Sequence, residues 1–104
     1  MTKSLSHRGP DDKGFFNNEN ISLGHNRLSI IDLSSDGNQP MFSNDKRYVL
    51  VFNGEIYNFR FLREKYSLKI DKNSSDTKVL VNLFDRLPIK QIINELDGMY
   101  AFVL

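Results

Sequence analysis

Tyr48-Val49-Leu50-Val51-Phe52-Asn53-Gly54 is the stretch on which the fold turns. Tyr48 to Phe52 is the longest apolar run in the chain, rich in β-branched and aromatic types. A short continuous run of that kind reads as a strand covered on both faces. Asn53-Gly54 then stops the strand, because the pair suits a tight turn with positive φ.

Working outward toward the C-terminal side, a short helix is expected over Phe59 to Tyr66 and a strand around Leu68 to Ile70. Ser75 is placed to cap a helix from Asp76 to about Leu87, with Val79, Leu80, Leu83, Phe84 and Leu87 at helical spacing on one face. Pro88 opens a second helix carrying Ile89, Ile92, Ile93 and Leu96 on one stripe. Gly98 ends it, and Met99 to Leu104 reads as a final buried strand. On the N-terminal side, Ile21 to Leu23 and Arg27 to Leu33 read as strands joined by a bend at Gly24. Ser34 to Asn44 is expected to be a loop, and residues 1 to 20 polar and turn-rich. Phe15, Phe16, Phe52, Phe59 and Phe84 are core candidates. Strands and helices alternate irregularly, so a mixed α/β or α+β domain is expected.

Composition removes several function classes. The 104 residues carry 14 basic and 13 acidic side chains, net +1, with no basic run that asks for nucleic acid or an anionic membrane. No apolar stretch approaches a membrane span, and the polar opening from Met1 to Pro10 lacks the apolar core of a secretory signal, so a cytoplasmic protein is expected. There is no cysteine, which excludes disulfides, thiolate metal sites and a thiol nucleophile within these residues. His7 and His25 have no further ligands to make a metal site.

Polar clusters gather where strands end. They are His7-Arg8-Gly9-Pro10-Asp11, Gly24-His25-Asn26-Arg27-Leu28-Ser29-Ile30, Asn53-Gly54-Glu55-Ile56-Tyr57-Asn58, Ser75-Asp76-Thr77 and Asp97-Gly98-Met99-Tyr100-Ala101-Phe102. In this order and spacing, from Ser6 to Leu104, they resemble the class II glutamine amidotransferase domain of glutamine-hydrolysing asparagine synthetases. That resemblance implies an N-terminal-nucleophile fold, an αββα sandwich of antiparallel sheets flanked by helices, here in partial form. It also implies a chemistry: glutamine is hydrolysed to glutamate, and the ammonia passes to a second, ATP-using domain. No glycine-rich phosphate loop occurs here, so no cofactor is expected in this chain; ATP and magnesium belong to the synthetase domain of a complete parent.

The resemblance assigns roles that elementary chemistry can support. Arg27 matches the arginine that holds the α-carboxylate of glutamine, and a guanidinium does this with two parallel charge-assisted bonds that lysine cannot mimic. A surface arginine paired with a nearby acid is the plainer alternative. Ile30 and Ile31 match positions whose backbone lines the same pocket, while their side chains read as plain core. Asn53 and Gly54 match the oxyanion hole, where an amide side chain and a free N–H contribute a few kcal/mol, about 3, to transition-state stability. Read without the resemblance, they are an ordinary Asn-Gly turn. Glu55 and Asp76 match acids that hold the α-ammonium, and an acid in the first turn of a helix is favourable in any case. His7, Arg8, His25, Tyr57 and Asn58 read as bracing.

The sequence departs from the family at its nucleophile. There the nucleophile is a cysteine at the mature N-terminus, followed by a strand and a helix before the His-Arg-Gly-Pro-Asp segment. Here Met1 to Ser6 precede that segment, and the peptide steps from Thr2 to His7 reach about 18 Å at most, too little for a strand plus a helix. Thr2 is therefore not read as a replacement nucleophile. Lys78 stands where an acid is usual, and Phe61 adds an apolar group to an exposed helix. The expected protein is an incomplete or degenerate glutaminase domain, inactive alone. The alternatives are a non-catalytic module that binds glutamine weakly, or a piece that docks on a separate synthetase chain or on itself.

Overall fold

A computed structural model describes residues 1–27 and 37–104. A short 3-10 helix at Thr2–Leu5 leads into an antiparallel hairpin of β1 (Asp12–Asn17) and β2 (Ser22–Arg27). A second antiparallel sheet is ordered β3-β4-β5, from β3 (Met41–Phe42), β4 (Val49–Ile56) and β5 (Gly98–Val103). Between β4 and β5 lie α1 (Phe59–Lys65), α2 (Asp76–Phe84) and α3 (Ile89–Glu95). The antiparallel sheets and flanking helices make an α+β fold, as the sequence leads one to expect of a partial amidotransferase sandwich.

The core lies between the second sheet and the helices. Leu50, Phe52 and Ile56 alternate onto one face of β4, and Val79, Leu80, Val81, Leu83 and Phe84 of α2 meet them. Burying each such side chain contributes roughly 1.5–3 kcal/mol. Helix α2 is therefore fixed by its apolar contacts, and whatever it carries at its first turn is carried rigidly. Ser75 caps it as expected, accepting from the Lys78 N–H at 3.2 Å.

Several expectations need correcting. The apolar run does not stop at Asn53-Gly54: β4 continues through both residues to Ile56, paired in unbroken register with β5. Positive φ does occur, at Gly54 (+142°), but inside a strand. The reason is a close approach, since a Cβ there would lie 2.1 Å from the Met99 carbonyl oxygen. Nor is β4 covered on both faces. Asn53 and Glu55 are exposed, and on β5 Met99 is 72% and Val103 48% exposed, so the expected burial of that last strand holds for one face only.

Polar residues 12–17, expected to be turn-rich, pair as β1, and Gly24 lies within β2 rather than at a bend. The proposed strand from Arg27 to Leu33 falls mostly outside the described residues, as do Ile30 and Ile31. Leu68 to Ile70 is not a strand and pairs with no other strand among the described residues, although Leu68 is buried. Phe15 is 62% exposed, so it is not core, while Phe52, Phe59 and Phe84 are buried. On α3 only Ile92 is buried; Ile89 and Ile93 face outward.

Candidate functional site

The site begins with an unpaired edge. In an antiparallel ladder, successive peptides point alternately to either side of the strand. The Tyr57 N–H donates to the Asp97 carbonyl at 2.7 Å, so odd-numbered residues of β4 face β5 and even-numbered ones face the opposite edge. Strand β3 covers that edge only at Val49 and Leu50. Beyond it, side chains take over. The Phe52 N–H donates to Gln39 Oε1 at 2.5 Å, and the Ile56 N–H donates to Asp76 Oδ2 at 2.9 Å. Gly54 lies between these capped residues, and its N–H and C=O point to the same edge. Among the described residues neither group has a partner.

Around Gly54 stand three of the sequence-expected residues. Asn53 and Glu55 are exposed on the open face of the sheet, one on either side of it. Asp76 lies along the edge, 4% exposed, at the start of α2. Its carboxylate accepts from Ile56 and also from its neighbour's Thr77 N–H at 2.7 Å. Asp76 thus ties strand to helix. The Thr77 hydroxyl also donates to Oδ1, at 3.4 Å, and since an ionised carboxylate offers about four lone-pair sites, one remains for another donor. The structural reading and the ligand reading hold together here.

Arg27 ends β2 and is 7% exposed. Its Nη1 donates to Asn38 Oδ1 at 2.6 Å, and Asn38 in turn donates through Nδ2 to Asp12 Oδ2. The His-Arg-Gly-Pro-Asp segment braces this end of β2. Gly9 is buried against the strand, where a Cβ would lie 2.5 Å from the Asn26 carbonyl, and the Asp11 N–H donates to the Arg27 carbonyl at 3.0 Å. His7 and Arg8 themselves are exposed. Thr2 lies against β2, its carbonyl accepting from Asn26 Nδ2 and its γ-methyl toward Gly24. His25, read as bracing, is half-buried beside the Phe52 backbone. Burial first, and the Arg27 cation second, hold its imidazole below the ordinary 6.5, while the Phe52 backbone pulls the other way.

Residues 1–104 match the family described as glutamine amidotransferase domain over their whole length. The chain belongs to this family. Among relatives, "Asparagine synthetase [glutamine-hydrolyzing] 2" of Arabidopsis thaliana is 42% identical over 104 residues. "Putative asparagine synthetase [glutamine-hydrolyzing] 2" of Methanocaldococcus jannaschii is 40% identical over 122 aligned positions, and asparagine synthetase B of Escherichia coli 37% over 105. All of this chain is covered in each case, but it spans only 18%, 23% and 19% of those proteins. It is similar to their glutamine amidotransferase part.

Sequence reading missed Asn38, Gln39 and Asp12, which hold the amidotransferase-like residues in place. Gln39 was legible only as a neighbour of Pro40 in a loop. Its signal was chemical: a buried amide must find partners. Among the described residues, no group of three or more His, Cys, Asp or Glu side chains gathers to hold a metal ion, and no helix is long and apolar enough to cross a membrane.

Proposed function

We propose that this chain supplies the glutamine-holding side of an amidotransferase site. The observation that carries the reading is the Gly54 N–H, which faces the open edge of β4 between two capped N–H groups and has no partner among the described residues. An oxyanion developing on the substrate amide carbon needs a donor of that kind, already oriented, together with a second from the Asn53 side chain. Arg27 takes the α-carboxylate by its planar fork, and Glu55 and Asp76 take the α-ammonium. One small zwitterion satisfies all of these. Ile30 and Ile31, which the resemblance also assigns to this pocket, lie outside the described residues.

The attacking thiol that the family uses is not among these residues, since the chain has no cysteine. On this reading the 104 residues bind glutamine but do not cleave it. Glutamine hydrolysis that feeds ammonia to ATP-dependent amidation of aspartate is the activity of the complete parent. ATP and magnesium act there, in a synthetase part, and no residue here is assigned to them. A cytoplasmic location and docking on a synthetase chain belong to the same proposal.

The test is a glutamine titration followed by amide NMR. Millimolar affinity is expected, about −4 kcal/mol, because a site lacking its attacking wall is wet and its charge pairs are screened. Shifts should concentrate at Gly54, Glu55, Asp76 and Arg27. No movement at these residues up to the solubility limit of glutamine would overturn the reading.

A further inference from the structure

We infer that the dipeptide Asn38-Gln39 positions the site, acting on the carboxylate arm through Arg27 and on the oxyanion edge through Phe52. The inference rests on the glutamine-holding reading. The two adjacent side chains reach different strands. Asn38 reaches β2, where its Oδ1 accepts from Arg27 Nη1 at 2.6 Å; Gln39 reaches β4, where its Oε1 accepts from the Phe52 N–H at 2.5 Å.

Neither amide is free to turn over. Asn38 presents oxygen to a cation and nitrogen to the Asp12 carboxylate, so a flip would set donor against donor and acceptor against acceptor. Gln39 is 8% exposed, and a flip would bring its NH2 onto the Phe52 N–H. The dipeptide itself is wedged: the Gln39 carbonyl oxygen lies where a Cβ on Gly14 of β1 would be, at 1.7 Å. A planar fork recognises a carboxylate only within about 10–20° of its productive orientation. A guanidinium set by Asn38, one residue from the amide that sets β4, therefore keeps both halves of the site in one frame.

The two residues act on different parts of the ligand, and this gives the test. Glutamine and glutaminamide, which lacks the α-carboxylate, are titrated into the parent chain, Asn38→Ala, Gln39→Met and Gln39→Glu. Asn38→Ala should weaken glutamine about tenfold and leave glutaminamide alone, the loss expected for one hydrogen bond to a charged group. Gln39→Met should weaken both ligands equally, and Gln39→Glu, which keeps the acceptor, should restore them. Without ligand, amide exchange at Phe52 should quicken in Gln39→Met, and the Arg27 Nε–H resonance should shift in Asn38→Ala. Asn38→Ser replaces Asn38→Ala if the latter does not fold. Equal losses for both ligands in the Asn38 variant, or unchanged Phe52 exchange in Gln39→Met, would overturn the inference. If the parent binds neither ligand, the glutamine reading falls, and the ligand-free signals alone decide whether the dipeptide positions Arg27 and β4.

Discussion

Replacing Asp76 with asparagine removes one charge and one acceptor from the carboxylate that ties β4 to α2. Asp76 Oδ2 accepts from Ile56 at 2.9 Å and Oδ1 from Thr77 at 2.7 Å, in a site 4% exposed. Hydrogen bonds to a charged group are worth about 1.5–3 kcal/mol, and a buried donor left without an acceptor costs about 1–3 kcal/mol. The asparagine amide can keep one oxygen in place, so one backbone N–H meets an NH2. Loss of negative charge at the first turn of α2 costs a further 0.3–1 kcal/mol, roughly. Against this, a neutral side chain is cheaper to bury, which trims the sum. The expected net loss is about 2–4 kcal/mol. At about 4–8 °C per kcal/mol for a domain near this size, the melting temperature should fall by about 10–25 °C. Thermal and urea unfolding followed by circular dichroism measure it. A variant within about 0.5 kcal/mol of the parent, the scatter of ordinary surface changes, would refute the strand-to-helix tie.

Arg27→Lys should abolish most glutamine binding in the same NMR titration, because a point charge cannot replace a bidentate fork; unchanged affinity would remove Arg27 from the carboxylate role. Gly54→Ala should destabilise by more than about 3 kcal/mol, since strain at positive φ alone costs about 1–3 kcal/mol and the new methyl meets the Met99 carbonyl; an alanine variant that melts with the parent would argue against the close β4–β5 approach. The purified chain should release no glutamate from glutamine, and a rate abolished by Thr2→Ala would revive a threonine nucleophile. Because the folded-state pKa of His25 lies below its ordinary 6.5, the unfolded chain binds a proton first as pH falls. Stability should therefore decline from about pH 6.5 downward until the folded imidazole also titrates, and His25→Gln should flatten that part of the curve in urea titrations.

The long-range pattern of the fold was legible wherever local chemistry and packing agree. Ser75 and the apolar spacing of α2 point the same way, and the helix forms where expected apart from its last turn. Phe59 to Lys65 behaves likewise. The failures share a cause. Strand β1 carries Asp12, Lys13 and Asn17, a composition that favours turns, and it is a strand because β2 lies beside it. The Asn53-Gly54 pair has turn propensity, yet pairing with Ala101 and Tyr100 overrides it. Leu68 to Ile70 has strand-like composition and, among the described residues, no neighbour to pair with. In each case the partner, not the segment, decides, and a partner distant in sequence leaves no local trace. The residues of the site were legible through resemblance; the residues that orient them were not, because Asn38 and Gln39 lie in a loop and announce themselves only by what they bond.

That Gly54 belongs to a strand rather than a turn changes how its N–H is aimed. In a turn the direction of one peptide depends on the torsions of a few residues with little support. In β4 the direction follows from pairing on the other side: each bond to β5 fixes the peptides that face away from it. An open edge of this kind ordinarily recruits another strand, and proteins blunt such edges with side chains or bulges. Here Gln39 and Asp76 blunt it at Phe52 and Ile56, and among the described residues nothing covers Gly54 between them. A fourth strand added along this edge would satisfy Gly54 and extinguish its capacity to receive an oxyanion. A glycine left uncovered among the described residues is thus compatible with a stable sheet because its neighbours are capped by side chains, which ties the persistence of the site to Gln39 and Asp76 through bonds that never touch a ligand.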